Sequence, residues 1–157
     1  MMNEISLNNK MPSFSLEATI LNTCSETDFL GHWTVLFIYP KDNTSGCTRE
    51  TKEFNERYSD FTSLGVKIFG LSKDTLASHI SFSKKLSLQF SLISDPQTQL
   101  IQDLHAWKEK SMYGKKYMGT ERSTFLFDKD LVIKHIWRKV KVGGHVDQVF
   151  EKCKKII

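Results

Sequence analysis

The sequence predicts an α/β fold, a mixed, mainly parallel sheet of about five strands flanked by helices. Three observations predict it. Short apolar runs alternate with stretches of helical periodicity between positions 33 and 107. The first of these runs is continuous and rich in aromatic and β-branched residues, as in a strand covered on both faces. Two later runs, joined by a short turn, add antiparallel neighbours.

The elements follow in order. "SFSLEAT" (13–19) is a weak strand candidate, and "WTVLFIYP" (33–40) is a buried strand bounded by Gly31 and Pro40. The turn Asp42–Gly46 leads to a helix starting between Ser45 and Thr48. Its continuation carries Phe54, Tyr58, Phe61 and Leu64 at spacings of four, three and three, one helical face, with Gly65 as its C-cap. "VKIFGLS" (66–72) is the next strand, followed by a helix over 74–86, a strand over 90–95 and a helix over 98–107. "WKEKSMYGKKYMG" reads as a polar, basic surface loop that could dock a reductant. Strands over 123–128 and 132–140 share the "KDL" turn, and a basic-ended helix over 145–156 closes the chain.

At 157 residues, the chain reads as a single domain over 1–157. Its net charge of +4 is mild, and the basic residues are dispersed (Lys115 and Lys116, Arg138 to Lys141, Lys154 and Lys155). They read as solvated faces, so no nucleic-acid partner is expected. The opening "MMNEISLNNKMPSF" lacks the pattern of a secretory signal, and "WTVLFIY" is too short to span a bilayer. No membrane partner is expected, and the expected location is cytoplasmic. The three cysteines, Cys24, Cys47 and Cys153, are odd in number, widely spaced and without C-x-x-C. A disulfide framework, a zinc site and a dithiol oxidoreductase are all disfavoured.

Cys47 differs from the other two in its place. It falls in the first turn of a helix, beyond the carboxyl end of a buried strand, where functional residues of such sheets gather. Helix-start N–H groups and the helix dipole favour a thiolate there. Ionisation alone gains about thirtyfold over a free cysteine at neutral pH, so rapid chemistry also needs donors aimed at the developing charge. Taken singly, Cys47 could be a small buried hydrophobe, Thr44 a turn residue and Pro40 a strand terminator.

Together, Pro40, Thr44 and Cys47 fit P-x-x-x-T-x-x-C, the active-site motif of peroxiredoxins. "YPKDNTSGCTRE" (39–50) resembles the form found in the bacterioferritin comigratory protein, or peroxiredoxin Q, subfamily of the AhpC/TSA superfamily. "KYMGTERSTFLFDKD" (116–130) resembles the segment bearing its active-site arginine, which maps to Arg122. "KVKVGGHVDQVFE" resembles its closing stretch, and the likeness runs from about residue 12 to 155. The resemblance implies a thioredoxin-like fold with an N-terminal extension, and thiol-dependent reduction of hydrogen peroxide and organic hydroperoxides. Cys47 would be the nucleophile that becomes a sulfenic acid. Thr44 would sit beside the sulfur and the peroxide, Arg122 would supply guanidinium donors, and Pro40 would shield the pocket. Glu50, one helical turn after Cys47, could orient the arginine. No metal or other cofactor is implied. The implied partners are the peroxide and thioredoxin or another thiol reductant, and the subfamily leans to a monomer, with a dimer as the alternative.

One departure stands out. Many members of that subfamily carry a resolving cysteine five residues after the nucleophile, and here the position is Lys52. The expectation is therefore one-cysteine chemistry, with Cys24, in a polar and plausibly exposed loop, and Cys153, on the last helix, as possible resolving residues. The rival reading is a thioredoxin-like peroxide sensor or binding module with little turnover. His145 matches the subfamily tail and reads as a packing or capping residue.

Overall fold

The structure is a computed structural model that describes residues 5–157, so the first four residues of the opening stretch lie outside the described residues. Its centre is β3 (Trp33–Ile38), whose last five residues are all buried. β3 pairs in parallel with β4 (Val66–Ser72), which pairs in parallel with β5 (Ser91–Ser94). On its other side β3 meets β8 (Ser123–Phe127), and β8 meets β9 (Ile133–Trp137), both antiparallel. At the far edge β5 meets β1 (Ser15–Ala18), which forms a hairpin with β2 (Asn22–Ser25). The order is β2-β1-β5-β4-β3-β8-β9.

The sheet thus has seven strands rather than about five, and it is parallel only at its centre. The weak first strand candidate is present as β1, and the addition is its hairpin partner β2, "NTCS", four residues long with two exposed, so it carries no hydrophobic alternation to announce it. Cys24 lies on this strand with 0% exposure, not in an exposed loop.

The alternation along β3 divides the apolar residues into two cores. Leu36 and Ile38 join Cys24, Phe29, Phe69 and Phe127 in one. Val35, Phe37 and Tyr39 join Cys47, Phe54, Phe61 and Cys153 in the other. α1 (Ser45–Glu56) and α5 (His145–Ile156) supply helical residues to the second core. The expected aromatic face is present, with Phe54 and Phe61 fully buried, but Arg57 interrupts the helix and α2 (Tyr58–Ser63) is a separate turn-and-a-half. Gly65 has φ +78°, the left-handed cap that a glycine adopts without a Cβ penalty. α3 (Leu76–Leu86) begins at Thr75, whose hydroxyl accepts from the Ser78 N–H.

Two further expectations change. The helix expected over 98–107 is only α4 (Gln99–Asp103). The expected loop "WKEKSMYGKKYMG" is instead an antiparallel ribbon of β6 (Trp107–Met112) and β7 (Lys115–Thr120). Tyr113 and Gly114 form its two-residue turn, both at positive φ, the geometry that matches strand twist. A glycine centred between two six-residue segments was the available signal; the lysines and the absence of apolar alternation hid it. Among the described residues no helix is long and apolar enough to cross a membrane.

Candidate active site

α1 starts where the buried strand ends. Thr44 is its N-cap, in extended conformation, and its carbonyl accepts the Thr48 N–H at 2.9 Å. Cys47 is the third helical residue and 1% exposed. The helix therefore aims its unpaired N-terminal N–H groups at the region of the sulfur. The Thr44 hydroxyl donates to the Lys41 carbonyl at 2.8 Å, which leaves its oxygen lone pairs free to accept.

Arg122 arrives from the segment between β7 and β8, its carbonyl accepting the Val140 N–H at 3.0 Å. One guanidinium nitrogen, Nη2, donates to Cys47 Sγ at 3.3 Å, and the other, Nη1, donates to Glu50 Oε1 at 2.7 Å. One planar fork thus bridges the thiol and a carboxylate one helical turn further on. Burial opposes the Arg122 charge, yet Glu50 and Cys47 hold its pKa above the ordinary value. Gly46 makes room for the fork, since a Cβ there would come 3.2 Å from Nη2. Pro40 and Arg122 line the same open cleft, with Lys108, Glu121, Lys139 and Val140.

Glu50 is fully buried. Burial pushes its pKa up to about 7, although Arg122 pulls the other way. Its second oxygen, Oε2, is buried and has no hydrogen-bond partner. Facing it at 3.9 Å is Nε2 of His145, the first residue of α5, which hydrogen-bonds Thr124 Oγ1 of β8 at 2.8 Å. Burial, with Arg122 nearby, lowers the His145 pKa to about 4. The structure thus brings Cys47, Glu50 and Arg122 together, puts Pro40 in the cleft that Arg122 lines, leaves Thr44 as the exposed N-cap with its hydroxyl on Lys41, and adds His145 and Thr124. The sequence separation between Glu50 and His145 is bridged only by the fold.

Cys24 and Cys153 are both fully buried free thiols, and burial pushes each up to about 12. Cys153 shares a core with Cys47, whereas Cys24 belongs to the core on the other side of β3.

A second polar cluster flanks the same loop. Asp42 accepts from Tyr39 Oη at 2.7 Å and from Ser78 Oγ at 2.8 Å, and its Oδ2 lies 2.8 Å from His79 Nδ1. The His79 Nε2 meets the Ile93 carbonyl at 3.0 Å. Asp74 accepts the Asp42 N–H at 2.9 Å and the Ser72 hydroxyl at 2.5 Å. Among the described residues, Asp42, Asp74 and His79 are the grouping whose ligand-type atoms lie close enough for a metal, within 4.8 Å. Those atoms already serve one another and their neighbours, so the cluster reads as a clamp on the loop. Histidine spacing was informative only among histidines, which is why this set went unseen in the sequence.

A thioredoxin-like sheet with a helix-start thiol under a guanidinium defines a class of cysteine-based redox protein. Within it, the chain belongs to the AhpC/TSA family, whose match covers residues 7–136. It is 45% identical over 124 residues to the peroxiredoxin Bcp of Xanthomonas campestris, covering 79% of this chain and 78% of that protein. It is 39% identical over 150 residues to the peroxiredoxin Bcp of Bacillus subtilis, covering 96% of each. Among solved structures, peroxiredoxin Q of Xanthomonas campestris superposes with a TM-score of 0.87 at 40% identity, covering 91% of this chain and 90% of that one. A cysteine-to-serine mutant of Xylella fastidiosa PrxQ gives 0.92 at 34% identity and 98% coverage of both. The chain is accordingly a thiol-dependent peroxidase, an oxidoreductase with the thioredoxin-like peroxiredoxin fold.

Proposed function

We propose that Cys47 is the peroxidatic nucleophile of a one-cysteine peroxidase acting on hydrogen peroxide and organic hydroperoxides. The observation that carries this reading is the Arg122 fork, with Nη2 at 3.3 Å from the Cys47 sulfur and Nη1 fixed on Glu50. The thiolate attacks the terminal peroxide oxygen and the O–O bond breaks with its electron pair on the leaving oxygen. That oxygen takes a proton and departs as water or an alcohol, while the sulfur is left as a sulfenic acid. Arg122 donors lie where negative charge moves from sulfur to oxygen. The Thr44 oxygen, its own proton given to Lys41, accepts the peroxide O–H. Pro40 covers one wall of the cleft.

The one-cysteine assignment rests on Lys52 and on the burial of the other two thiols. A resolving cysteine must bring its Cα within about 7 Å of that of Cys47, and Cys24 starts from the other core. An external thiol then condenses with the sulfenic acid, releasing water, and a second thiol frees Cys47 from the mixed disulfide. Thioredoxin is the proposed donor, and cytoplasm the proposed location.

The test is peroxide consumption with a thioredoxin system, glutathione with glutaredoxin, and dithiothreitol as separate donors. Turnover with at least one donor and none for Cys47→Ser supports the reading. A single stoichiometric oxidation with every donor makes the protein a sensor instead. Non-reducing mass spectrometry after one equivalent of peroxide tests the cysteine count, and a disulfide joining Cys47 to Cys24 or Cys153 would sink the one-cysteine assignment.

A further inference from the structure

Among the described residues two buried side-chain polar atoms lack a hydrogen-bond partner, Thr120 Oγ1 and, inside the site, Glu50 Oε2. Burial removes it from water, and an unpaired buried carboxylate oxygen carries a desolvation cost. Natural interiors leave few such atoms unpaired, and those they leave call for an explanation. The group that faces it is His145 Nε2 at 3.9 Å, too long for a hydrogen bond and short enough for direct electrostatic contact. His145 is itself held. It is 3% exposed, its ring packs edge-on against Trp137 at 5.9 Å and Phe54 at 6.3 Å, and Thr124 Oγ1 fixes Nε2. An imidazole fixed this firmly presents one defined edge to the carboxylate. Hydrogen bonds in unliganded sites are often long and tighten once substrate binds.

We propose that His145, fixed by Thr124, is a positioning residue that holds the outer oxygen of Glu50 and, through Glu50, keeps Arg122 on the Cys47 sulfur. This deepens the assignment of Cys47 and Arg122 above and rests on it. The mechanism is a matter of which state of Glu50 grips the guanidinium. Ionised, Glu50 Oε1 accepts from Nη1, and the fork is oriented. Protonated, the carboxyl grips it weakly, and Nη2 loses its fixed aim at Sγ. An Nε2–H shared between Thr124 Oγ1 at 2.8 Å and Oε2 at 3.9 Å favours the ionised state, against the burial that favours the protonated one. The charged and titratable groups facing Glu50 are Arg122 from the segment before β8, Cys47 and Glu53 from α1, and His145 from α5. Those facing His145 are Glu50 and Arg122.

The experiment measures the second-order rate of Cys47 oxidation by hydrogen peroxide, followed by tryptophan fluorescence across a pH series. The proteins are wild type, His145→Leu, Glu50→Gln and the double variant. His145→Leu is expected to slow oxidation about tenfold just above the wild-type Glu50 value of about 7, where the carboxyl is ionised in wild type and still protonated in the variant, a size mid-range for members of one coupled network. The deficit should shrink at high pH, where Glu50 is ionised regardless. In the Glu50→Gln background, His145→Leu should cost nothing further. Thr124→Val takes away the competing partner of Nε2 and leaves its N–H to Oε2, so it should move the profile to lower pH, and it carries the test if His145→Leu does not fold. Wild-type rates at every pH overturn the proposal. So does a deficit independent of pH, or one equally large without the carboxylate, since either marks a packing role. Activity surviving in Cys47→Ser would instead overturn the underlying assignment, a separate and separately visible failure.

Discussion

Two buried polar clusters flank the loop between β3 and α1, and they are made of the same kinds of side chain. On one side Asp42, His79, Tyr39, Ser72 and Asp74 interlock. On the other, Glu50, Arg122, His145, Thr124 and Cys47 do. In the first, both Asp42 oxygens and both His79 nitrogens have partners within hydrogen-bond distance. In the second, Glu50 keeps an unpaired oxygen, and the arginine spends half its fork on a thiol, a weak acceptor until ionised. A fully paired network fixes one geometry. An under-paired one retains capacity for a guest and for a change of charge, so the first cluster reads as scaffold and the second as chemistry.

Breaking the scaffold should give the largest effect on stability. Asp42→Ala strands the buried His79 and Tyr39 and is expected to cost about 3–5 kcal/mol in denaturant unfolding. A loss below 1 kcal/mol would erase the distinction between the clusters. Breaking the chemistry should leave the fold and remove the rate. Arg122→Ala is expected to slow peroxide reduction by at least about a hundredfold, the scale for one donor aimed at developing charge. Arg122→Lys should not restore it, because an ammonium cannot bridge both partners in one plane.

Glu50→Gln sharpens the contrast through pH. The folded Glu50 pKa lies near 7, above its ordinary 4.5, so the folded protein holds this proton more tightly than the unfolded chain. The stability this contributes is fully present below the unfolded value and is lost as pH rises through about 7. Thermal or denaturant unfolding should therefore show wild type losing ground to Glu50→Gln between pH 5 and pH 8. Constant difference across that range would contradict a buried, upshifted carboxyl. The mildest probe is Gly46→Ala, whose Cβ would press on Nη2 at 3.2 Å and displace the fork by tenths of an ångström. A deficit below about tenfold in peroxide reduction, with stability retained, is expected.

The two clusters also differ in how legible they were. Cys47, Thr44 and Pro40 lie within eight residues in a recognisable spacing, and Glu50 follows on the same helix. Arg122 was found by the resemblance of its whole segment, since one arginine before a strand carries no local signal. His145 was read as packing. It does pack, but its contact with Glu50 is made by α5 lying beside α1, which periodicity does not specify. The scaffold cluster was invisible because Asp42 and His79 lie on different elements, brought together by parallel pairing of β3, β4 and β5. The central strands were legible from their apolar runs. β2 and the β6–β7 ribbon were not, because strand pairing rather than an alternating apolar pattern marks them, and of β2 only Cys24 is fully buried.

The β6–β7 ribbon carries a geometric implication. Its six-residue strands place the tip, where Tyr113 is 97% exposed, about 20 Å from the base. The base ends at Thr120, two residues before Arg122. The ribbon thus sets an exposed aromatic handle about 20 Å from a base that runs, two residues on, into Arg122.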